Sequence, residues 1–548
     1  MTAQVAKSRP LKVGIIVESF VQPRWVRKSI EKVLAADVST FELVVKVPAE
    51  NTGESLLYKL YNRMDRRMFP TITDALEPVS IEDVVGSLPT LGPDETDKIK
   101  AFNLDVLINF VRNELKSKFA GLAKYGVWFY AFGKTDEKAP PGFRELLIDE
   151  PLTISSLRAL NGRSRAERIL YQSASPILSR FSVGLNNNDC YWKSAAFVAR
   201  SLVDLHKGRH EDTIEAAQHT EDSLEPTNAA MGQLFFKLSE RAAARAVEKF
   251  SSFEQWVMAY RFGGGEFKYL VPPLDRFWAD PFAIKAGEKY YIFFEDYLNS
   301  AGRAHISVIE VDKNGIVSGP TEALKLDCHL SYPFVFEWRG NYYMIPETGD
   351  KNVVELYRAN SFPFDWQLEH VLIEAKQPLD TTLVEVNGTW WMFVNIQEDG
   401  VLVNWDELHV YYADNLRGPW KPHARNPVVS DVRSARPAGR LFWSNNILYR
   451  PSQDSSRRYG YATVVNQITS LSPTEYSEVE VAKILPDWDK DILGVHTLNW
   501  FHGLTVIDCL TRRRRFGGGR LRPPRGLGTI DGLLRGREDQ QAETRVNP

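Results

Sequence analysis

The chain contains little cysteine and no long apolar run. Its 548 residues include three cysteines, Cys190, Cys328 and Cys509. Because their number is odd and they lie far apart, neither a disulfide framework nor a cysteine zinc site can be built from them. A reducing compartment is the simplest inference, so we predict a cytoplasmic protein without a bound metal. No stretch approaches about 18 consecutive apolar residues, which argues against a membrane-spanning helix.

Charge of one sign is not in excess either. The chain has 67 Lys and Arg against 70 Asp and Glu, which gives a formal net charge of -3. This balance argues against a dedicated nucleic-acid binder. The hydrophobic content of 43% and the charged content of 25% are those of a globular protein, and the length predicts two or more domains.

The C-terminal half of the sequence repeats one pattern five times. Asp280 is followed at +10 and +11 by Tyr290-Tyr291 and at +15 by Glu295, and the later copies keep this plan with small shifts. A Gly or Asn turn precedes each apolar pair, which is typical of a short strand, a tight turn and an aromatic-rich strand. The copies begin at Asp280, Tyr332, Asp380, Arg436 and His496, which lie 52, 48, 56 and 60 residues apart. This spacing predicts a five-bladed β-propeller over residues 251–511, and a strand at Glu254–Tyr260 would complete its last blade.

Residues 1–185 show alternating strand and helix patterns. Apolar runs at Val13–Val17, Phe41–Val47 and Asp105–Phe110 predict buried strands, and Arg24–Leu34 has the period of an amphipathic helix. This alternation predicts an α/β domain with a parallel sheet. No G-x-G-x-x-G motif follows the first strand, so nothing indicates a dinucleotide, and we predict no cofactor.

Three segments of this domain resemble the formyltransferase family, which includes methionyl-tRNA and sugar N-formyltransferases. They are Leu104–Phe110, Tyr125–Tyr130 and Pro140–Glu145. The resemblance implies a catalytic Asn, a His two residues later and an Asp farther on, and these positions hold Phe129, Ala131 and Ala166. None of these side chains can polarise a formyl carbonyl or transfer a proton. We therefore predict a formyltransferase-like domain that has lost its activity.

Two further segments flank the propeller. Residues 186–250 are predicted to form a helical connector, in which Asn186–Asp189 caps a helix from Tyr191 to about His206. Residues 512–548 are rich in Arg, Gly and Pro and predict a disordered basic tail. We interpret this tail as a solubilising segment, with weak contact to an anionic membrane surface as the alternative, because no amphipathic helix accompanies it.

The propeller half resembles the N-terminal propeller of plant glucosamine inositolphosphorylceramide transferases and their bacterial relatives. The matching motifs are Arg276–Phe282, His329–Pro333, Pro346–Thr348, Trp420–His423, Ala435–Gly439, Tyr449–Gln453 and His496-Thr497. More distantly, it is similar to five-bladed glycoside hydrolases that open with an Asp-Pro like Asp280-Pro281. The resemblance implies a bacterial protein of surface polysaccharide or glycolipid biosynthesis. Its ligand would be a sugar, a nucleotide-sugar or a glycolipid, and a glycosyltransferase would be its partner.

The first residue of each copy should surround one mouth of the propeller channel. We predict Asp280, Glu347 and Asp380 as catalytic residues, and Trp278, His329, Tyr332, Glu295, Arg436 and His496 as substrate-binding residues. A glycoside hydrolase needs two carboxyl groups about 5 to 9.5 Å apart, of which Asp280 would be the first. However, the hydrolase pattern would have an acid where this chain has Tyr332, which argues against hydrolysis. Trp338 and Trp390, with Trp278 and Tyr332, could stack on a sugar ring.

Structural roles remain open for each of these residues. Asp280 could bond to the backbone of a neighbouring blade, and Arg436 could hold Asp280 or Asp380 in an ion pair. His329 and His496 could be satisfied structural histidines. Three hypotheses for function follow: a carbohydrate-active enzyme using Asp280 and Glu347, a non-catalytic module that binds glycans or nucleotide-sugars, and a sugar N-formyltransferase. The residues support the last of these least.

Overall fold

The computed structural model describes residues 9–49, 55–111, 116–133, 139–162, 166–209, 214–215, 224–403, 405–515 and 521–534. The chain forms two compact units. Unit 1 comprises Met1–Arg241 with Glu398–Val403, and unit 2 comprises Ala242–Gln397 with Asn404–Pro548. Within the described ranges, no helix combines the length and the apolar character needed to cross a membrane.

Unit 1 is built on an eight-stranded mixed sheet. The described strands of unit 1, eight in this sheet and two in a separate pair, are β1 (Leu11–Val17), β2 (Val21–Pro23), β3 (Ser39–Lys46), β4 (Pro78–Ser80), β5 (Thr90–Leu91), β6 (Val106–Asn109), β7 (Val127–Phe132), β8 (Leu152–Leu160), β9 (Glu167–Pro176) and β10 (Ile214–Glu215). The sheet order is β10-β9-β8-β7-β6-β1-β3-β5, and β2 pairs with β4 separately. Strands β5, β3, β1, β6 and β7 run parallel, whereas β7 to β10 are antiparallel. The predicted α/β domain with a parallel sheet is confirmed.

Helices cover both faces of this sheet. They are α1 (Arg24–Ala35), α2 (Leu56–Met68), α3 (Glu82–Val85), α4 (Thr96–Ala101), α5 (Lys116–Phe119), α6 (Phe143–Ile148), α7 (Val183–Ser194) and α8 (Phe197–His206). Strand β1 lies between two neighbours, so successive residues face opposite layers. Ile15 packs in the cluster with Trp25 of α1, and Ile16 packs in the cluster with Phe119 of α5. This position explains why the run predicted from sequence is continuously apolar.

The helix predicted to begin after Asn186–Asp189 begins earlier. Ser182 caps α7 by accepting a hydrogen bond from the Leu185 N–H, so the Asn and Asp side chains lie inside the helix. They are buried because they find tertiary partners: Asn188 accepts from the Ala75 N–H at 2.7 Å, and Asp189 accepts from the Leu402 N–H at 2.7 Å. The capping interpretation of this segment was therefore wrong. A further helix, α9 (Asn228–Ser251), leads into the first strand of unit 2.

Unit 2 is a five-bladed β-propeller, as predicted. Blade 1 contains β13 (Arg276–Ala286), β14 (Lys289–Leu298), β15 (Arg303–Val311) and β16 (Ile316–Leu324); blade 2 contains β17 (Ser331–Trp338), β18 (Asn341–Glu347), β19 (Val353–Ser361) and β20 (Phe364–Glu374); blade 3 contains β21 (Leu379–Val386), β22 (Thr389–Asn395), β23 (Leu408–Ala413) and β24 (Lys421–Pro422); blade 4 contains β25 (Phe442–Ser444), β26 (Ile447–Asp454), β27 (Ala462–Leu471) and β28 (Tyr476–Ile484). Blade 5 joins β11 (Ser252–Phe262) and β12 (Lys268–Leu270) to β29 (Ile492–Gly494), β30 (Leu498–Phe501) and β31 (Leu504–Arg514).

The ring is closed by strands from both ends of unit 2. Strand β11 pairs antiparallel with β31 over its whole length, from Ser252 opposite Arg514 to Phe262 opposite Leu504. This is the pairing predicted for Glu254–Tyr260. Val257, Met258 and Ala259 are fully buried in the core that the pairing creates.

The described part of the C-terminal tail is not wholly irregular. Helix α10 (Thr529–Leu534) follows the propeller, and Ile530 is buried in an apolar cluster with Val257 and Ile507. Arg261 also forms an ion pair with Asp531. Residues 521–534 are thus folded onto unit 2, where we expected disorder. Residues 516–520 and 535–548, which belong to the same predicted tail, lie outside the described residues.

Candidate functional site

Three of the five repeat-starting residues share an unusual backbone conformation. Asp280, Tyr332 and Asp380 have φ angles of 50°, 42° and 52°. Each lies where the pairing of its first strand with its second skips residues. A left-handed conformation costs a residue other than Gly about 1–2 kcal/mol, so the surroundings must hold it. The repeat offset in the sequence therefore marks a bulge that recurs in blades 1, 2 and 3.

Carboxylates hold these bulges in place. Asp508 in blade 5 accepts the N–H of Asp280 at 3.0 Å, and Asp280 in turn accepts the N–H of Tyr332 at 3.3 Å. Glu347 in blade 2 accepts the N–H of Asp380 at 3.3 Å. In each case the acceptor belongs to the preceding blade, so the acids link neighbouring blades. This is the structural role that the sequence left open for Asp280.

His496 lies between two carboxylates. Its Nδ1 is 2.7 Å from Oδ2 of Asp508, and its Nε2 is 3.1 Å from Oδ1 of Asp280. All three side chains are buried. Burial opposes protonation of the ring, but the two carboxylates outweigh it and raise the pKa of His496 to about 10. His496 is therefore an imidazolium cation at neutral pH.

Arg436 forms a second ion pair at the centre of the propeller. Its Nε donates to Oδ2 of Asp380 at 2.5 Å, and its Nη2 lies 3.7 Å from Oε2 of Glu347. Gln453 also donates to Oδ2 of Asp380, at 3.1 Å. Of the two ion-pair partners considered for Arg436 from the sequence, the structure selects Asp380.

Two acids near these pairs have altered titration. Burial raises the pKa of Glu347 well above its usual value, and repulsion from Asp380 adds to this against the attraction of Arg436. Burial and the charge of Asp280 raise the pKa of Glu295 in the same way. Nε2 of His329 lies 3.3 Å from Glu295, and its Nδ1 accepts the Ala304 N–H at 3.2 Å.

The residues predicted to stack on a sugar lie in the interior of the protein. Trp278 is 5% exposed and packs against Phe294, and Trp338 and Trp390 belong to another core cluster. Tyr332 is buried too, with its hydroxyl 2.9 Å from that of Thr382 and accepting the Gly439 N–H at 2.6 Å. Their rings therefore stabilise the blades, and the structure does not place Trp278 in the site.

Other aromatic rings, only half-buried, lie against the polar centre. The ring centroids of Trp256 and Tyr459 are 4.1 and 5.5 Å from that of His496. Trp405 contacts Tyr459 at 5.2 Å, and Arg436 lies over the Tyr459 ring at 5.1 Å. These rings sit outside the repeat offset, so the pattern that located the acids could not locate them.

Asp508 and Gln453 were also missed by the sequence analysis. Asp508 interrupts the apolar run Val506–Cys509 of β31, and an acid inside a buried strand is the signal that could have revealed it. Gln453 lies in the copy where the repeat slips, so no offset pointed to it. Asp508 is the more important omission because it fixes both Asp280 and His496.

Among the residues that the structure describes, one group has the composition and spacing of a metal site, and it surrounds His496. Asp280, His496 and Asp508 offer ligand atoms within 4.8 Å of one another. Each nitrogen of the imidazole already faces a carboxylate oxygen at hydrogen-bonding distance. A metal ligand must offer a nitrogen lone pair. A metal bound here would have to displace one of these carboxylate contacts of His496, so the three residues as arranged fit a metal poorly.

We expect unit 2 to lose stability as the pH rises from about 6.5 to about 10. The pKa of His496 is raised by folding, so its contribution is fully present below about 6.5 and is lost as the pH passes about 10. Urea unfolding should show that the wild type has a higher free energy of unfolding than His496→Gln, and that this difference decreases as the pH rises across this range. The variant serves as the control for other groups, and a difference that stays constant would contradict the prediction.

Part of the propeller is similar to known proteins. Residues 272–499 match the family model described as glucosamine inositolphosphorylceramide transferase 1, N-terminal. The chain is 39% identical over 209 residues to glucosamine inositolphosphorylceramide transferase 1 of Oryza sativa subsp. japonica, and 37% identical over 209 residues to that of Arabidopsis thaliana. Each match covers 37% of this chain, and 28% and 27% of the two relatives. The chain thus spans little more than a quarter of the length of the curated relatives it matches.

Solved structures show weaker similarity. An exo-β-1,3-galactanase of Clostridium thermocellum has a TM-score of 0.31 and 13% identity, covering 37% of this chain and 49% of that one. A family 117 glycoside hydrolase of Zobellia galactanivorans has a TM-score of 0.32 and 14% identity, covering 47% of this chain and 90% of that one. Similarity at this level carries no argument about the ligand. The matched region of this chain is similar to the N-terminal region of glucosamine inositolphosphorylceramide transferase 1.

Proposed function

We propose that the centre of the propeller binds a sugar, and that the protein takes part in the assembly of a glycolipid or polysaccharide. The observation that carries the proposal is the set of half-buried rings, Trp256, Tyr459 and Trp405, next to a buried centre that holds both cations and acids. Aromatic faces pack on the C–H faces of sugars, and polar groups bind hydroxyls. The match of residues 272–499 to a glucosamine-transferring family supports the same ligand class.

A glycolipid headgroup is the ligand class that we favour. Arg436 is positively charged and lies against the Tyr459 ring, so it could bind a phosphate at the edge of a sugar. The curated relatives are named for the transfer of glucosamine to inositolphosphorylceramide, which carries such a phosphate. We also propose that the whole protein acts in the assembly of such a glycolipid, that it comes from a bacterium and that it is located in the cytoplasm.

Acid–base catalysis is the second candidate. Burial raises the pKa values of Glu347 and Glu295 well above the usual value of a carboxyl group, which is the direction that a general acid requires. Asp280 forms an ion pair with His496, and Asp380 forms one with Arg436. Glycosyl chemistry requires one carboxyl group as an acid and a second as a base or nucleophile, and the two ion-paired aspartates are candidates for the second role. A non-catalytic glycan-binding module uses the same residues without the proton transfer.

The N-terminal unit supports a separate proposal, that it does not transfer formyl groups. Phe129 and Ala131 occupy the positions that the formyltransferase resemblance assigns to the catalytic Asn and His, and both are buried in strand β7. Neither can carry a proton. We therefore place the function in the propeller and regard a sugar N-formyltransferase as the least supported alternative.

We expect Trp405→Ala to weaken sugar binding about five- to tenfold, which corresponds to about 1 kcal/mol for a lost stacking ring. Isothermal titration of the full chain with glucosamine, inositol phosphate and a UDP-amino sugar would identify the ligand and measure the change. Trp443→Ala is the matched control, because Trp443 is a partly exposed ring on β25 outside the site. No binding of any of these ligands by the wild type, or equal losses in both variants, would contradict the proposal.

A further inference from the structure

Helix α2 in unit 1 exposes apolar side chains along one side. The exposed fractions are 77% for Leu56, 59% for Leu60, 46% for Met64 and 63% for Met68. These residues are spaced four apart, so they form a stripe along the helix. Ile72, four residues past Met68, is 93% exposed. Single exposed apolar residues are ordinary, but a continuous stripe of them marks a surface that contacts something apolar.

The stripe is not the packing face of α2. The opposite side of the helix is anchored in unit 1 by Tyr58, Tyr61 and Asp65, all buried. Tyr61 accepts the Val183 N–H at 3.0 Å, and Asp65 accepts the Gly184 N–H at 2.7 Å. The helix is therefore held firmly by one side while the Leu and Met side chains point away from the core.

Positive charge lies beside the stripe. Four exposed cations occupy the same solvent-facing half of the helix: Lys59, Arg63, Arg66 and Arg67. Arg66 lies 3.3 Å from the partly exposed Asp74. The one acid of the helix, Asp65, is on the buried side, and burial raises its pKa. The exposed half of α2 thus combines an apolar stripe with a basic flank and carries no acid.

We propose that this half of α2, formed by Leu56, Leu60, Met64, Met68 and the four cations, docks on an anionic membrane surface. Helices that lie in the lipid interface combine an apolar stripe with Lys and Arg in this way. Each cation near such a surface contributes about 1 kcal/mol. A second copy of this chain fits the face poorly, because two such faces would bring like charges together. The inference goes beyond the proposed sugar site and does not depend on it.

Co-sedimentation of the full chain with lipid vesicles tests the proposal. We expect binding to mixed phosphatidylcholine–phosphatidylserine vesicles, little binding to pure phosphatidylcholine vesicles, and a decrease with added salt. The triple variant Arg63→Gln, Arg66→Gln, Arg67→Gln should lower the affinity about a hundredfold, at about 1 kcal/mol per cation. The double variant Leu60→Ser, Met64→Ser should lower it about tenfold or more.

Control variants distinguish binding through this face from nonspecific adsorption of the protein to vesicles. Ile316→Ser with Val317→Ser removes exposed apolar side chains from strand β16, and Lys100→Gln with Arg168→Gln removes exposed cations elsewhere in unit 1. Both should leave vesicle binding unchanged, and all variants should keep the wild-type circular dichroism and melting curve. Equal binding to neutral vesicles, or equal losses in the controls, would overturn the proposal. So would a vesicle-free dimer that Leu60→Ser, Met64→Ser abolishes, because the face would then belong to a second copy.

Discussion

Asp280→Asn is expected to lower the free energy of unfolding of unit 2 by about 3 kcal/mol, as removal of one partner from a buried ion pair does. The amide can still accept the Tyr332 N–H, but it no longer balances the charge of His496 at 3.1 Å. The imidazolium then has Asp508 alone as a counter-charge, so the pKa of His496 should also fall. Urea unfolding near pH 7 measures the first effect, and NMR titration of the imidazole measures the second.

A double-mutant cycle provides the control. In a His496→Gln background, Asp280→Asn should cost clearly less, because the charge that it leaves unbalanced is already gone. Measurements of binding and of reaction rate with the same sugars then separate the possible roles of Asp280. If Asp280→Asn unfolds at the wild-type urea concentration while a sugar-dependent rate falls by orders of magnitude, Asp280 is a catalytic base and its linking role is secondary.

Removal of strand β11, together with the short strand β12 that pairs with it, is expected to unfold the propeller. A fragment of residues 251–534 should melt cooperatively, whereas residues 272–534 should not. The shorter fragment loses the burial of Val257, Met258 and Tyr260, about 5 kcal/mol together, and leaves the edge of β31 unpaired. That loss is comparable with the whole stability of a small domain. Both fragments keep α10, which packs on the same blade.

A synthetic peptide provides the matched control for the shorter fragment. Added in excess, the sequence Ser252–Phe262 should restore a cooperative transition by pairing with β31, whereas a scrambled peptide of the same composition should not. Equal melting temperatures for the two fragments without peptide would show that the ring does not depend on this strand.

The repeat offset in the sequence was sufficient to place the centre of the propeller. Asp280, Tyr332 and Asp380 share a backbone conformation because the same bulge recurs in blades 1, 2 and 3, and a recurring local geometry leaves a recurring spacing. Arg436 and His496, which start the remaining two copies, form ion pairs with Asp380 and Asp280. The same repeat spacing therefore located them too. The strand that closes the ring was predictable for a similar reason, because a propeller leaves no bare edge.

What the spacing could not supply is the set of partners for each side chain. Which acid pairs with Arg436, and whether Asp508 lies beside His496, depends on the rotation between blades. The aromatic predictions show the same limit: Trp278 and Trp390 fill the space between sheets, whereas the rings beside His496 come from the closing strand and a loop. The prediction that Asn186–Asp189 caps a helix was wrong for a related reason, because contacts with other parts of the chain outweighed the local capping preference.

The join between β11 and β31 has a consequence for synthesis of the protein. Phe262 pairs with Leu504, so the first strand of the propeller must wait for its partner until some 240 further residues have been made. At about 5–20 residues per second this interval lasts about 12–50 s. During that time Val257 and Met258 have no core to enter, so the ribosome-bound chain carries an apolar strand in need of protection. We expect the demand of this protein for chaperones to be set by the last strand to leave the ribosome.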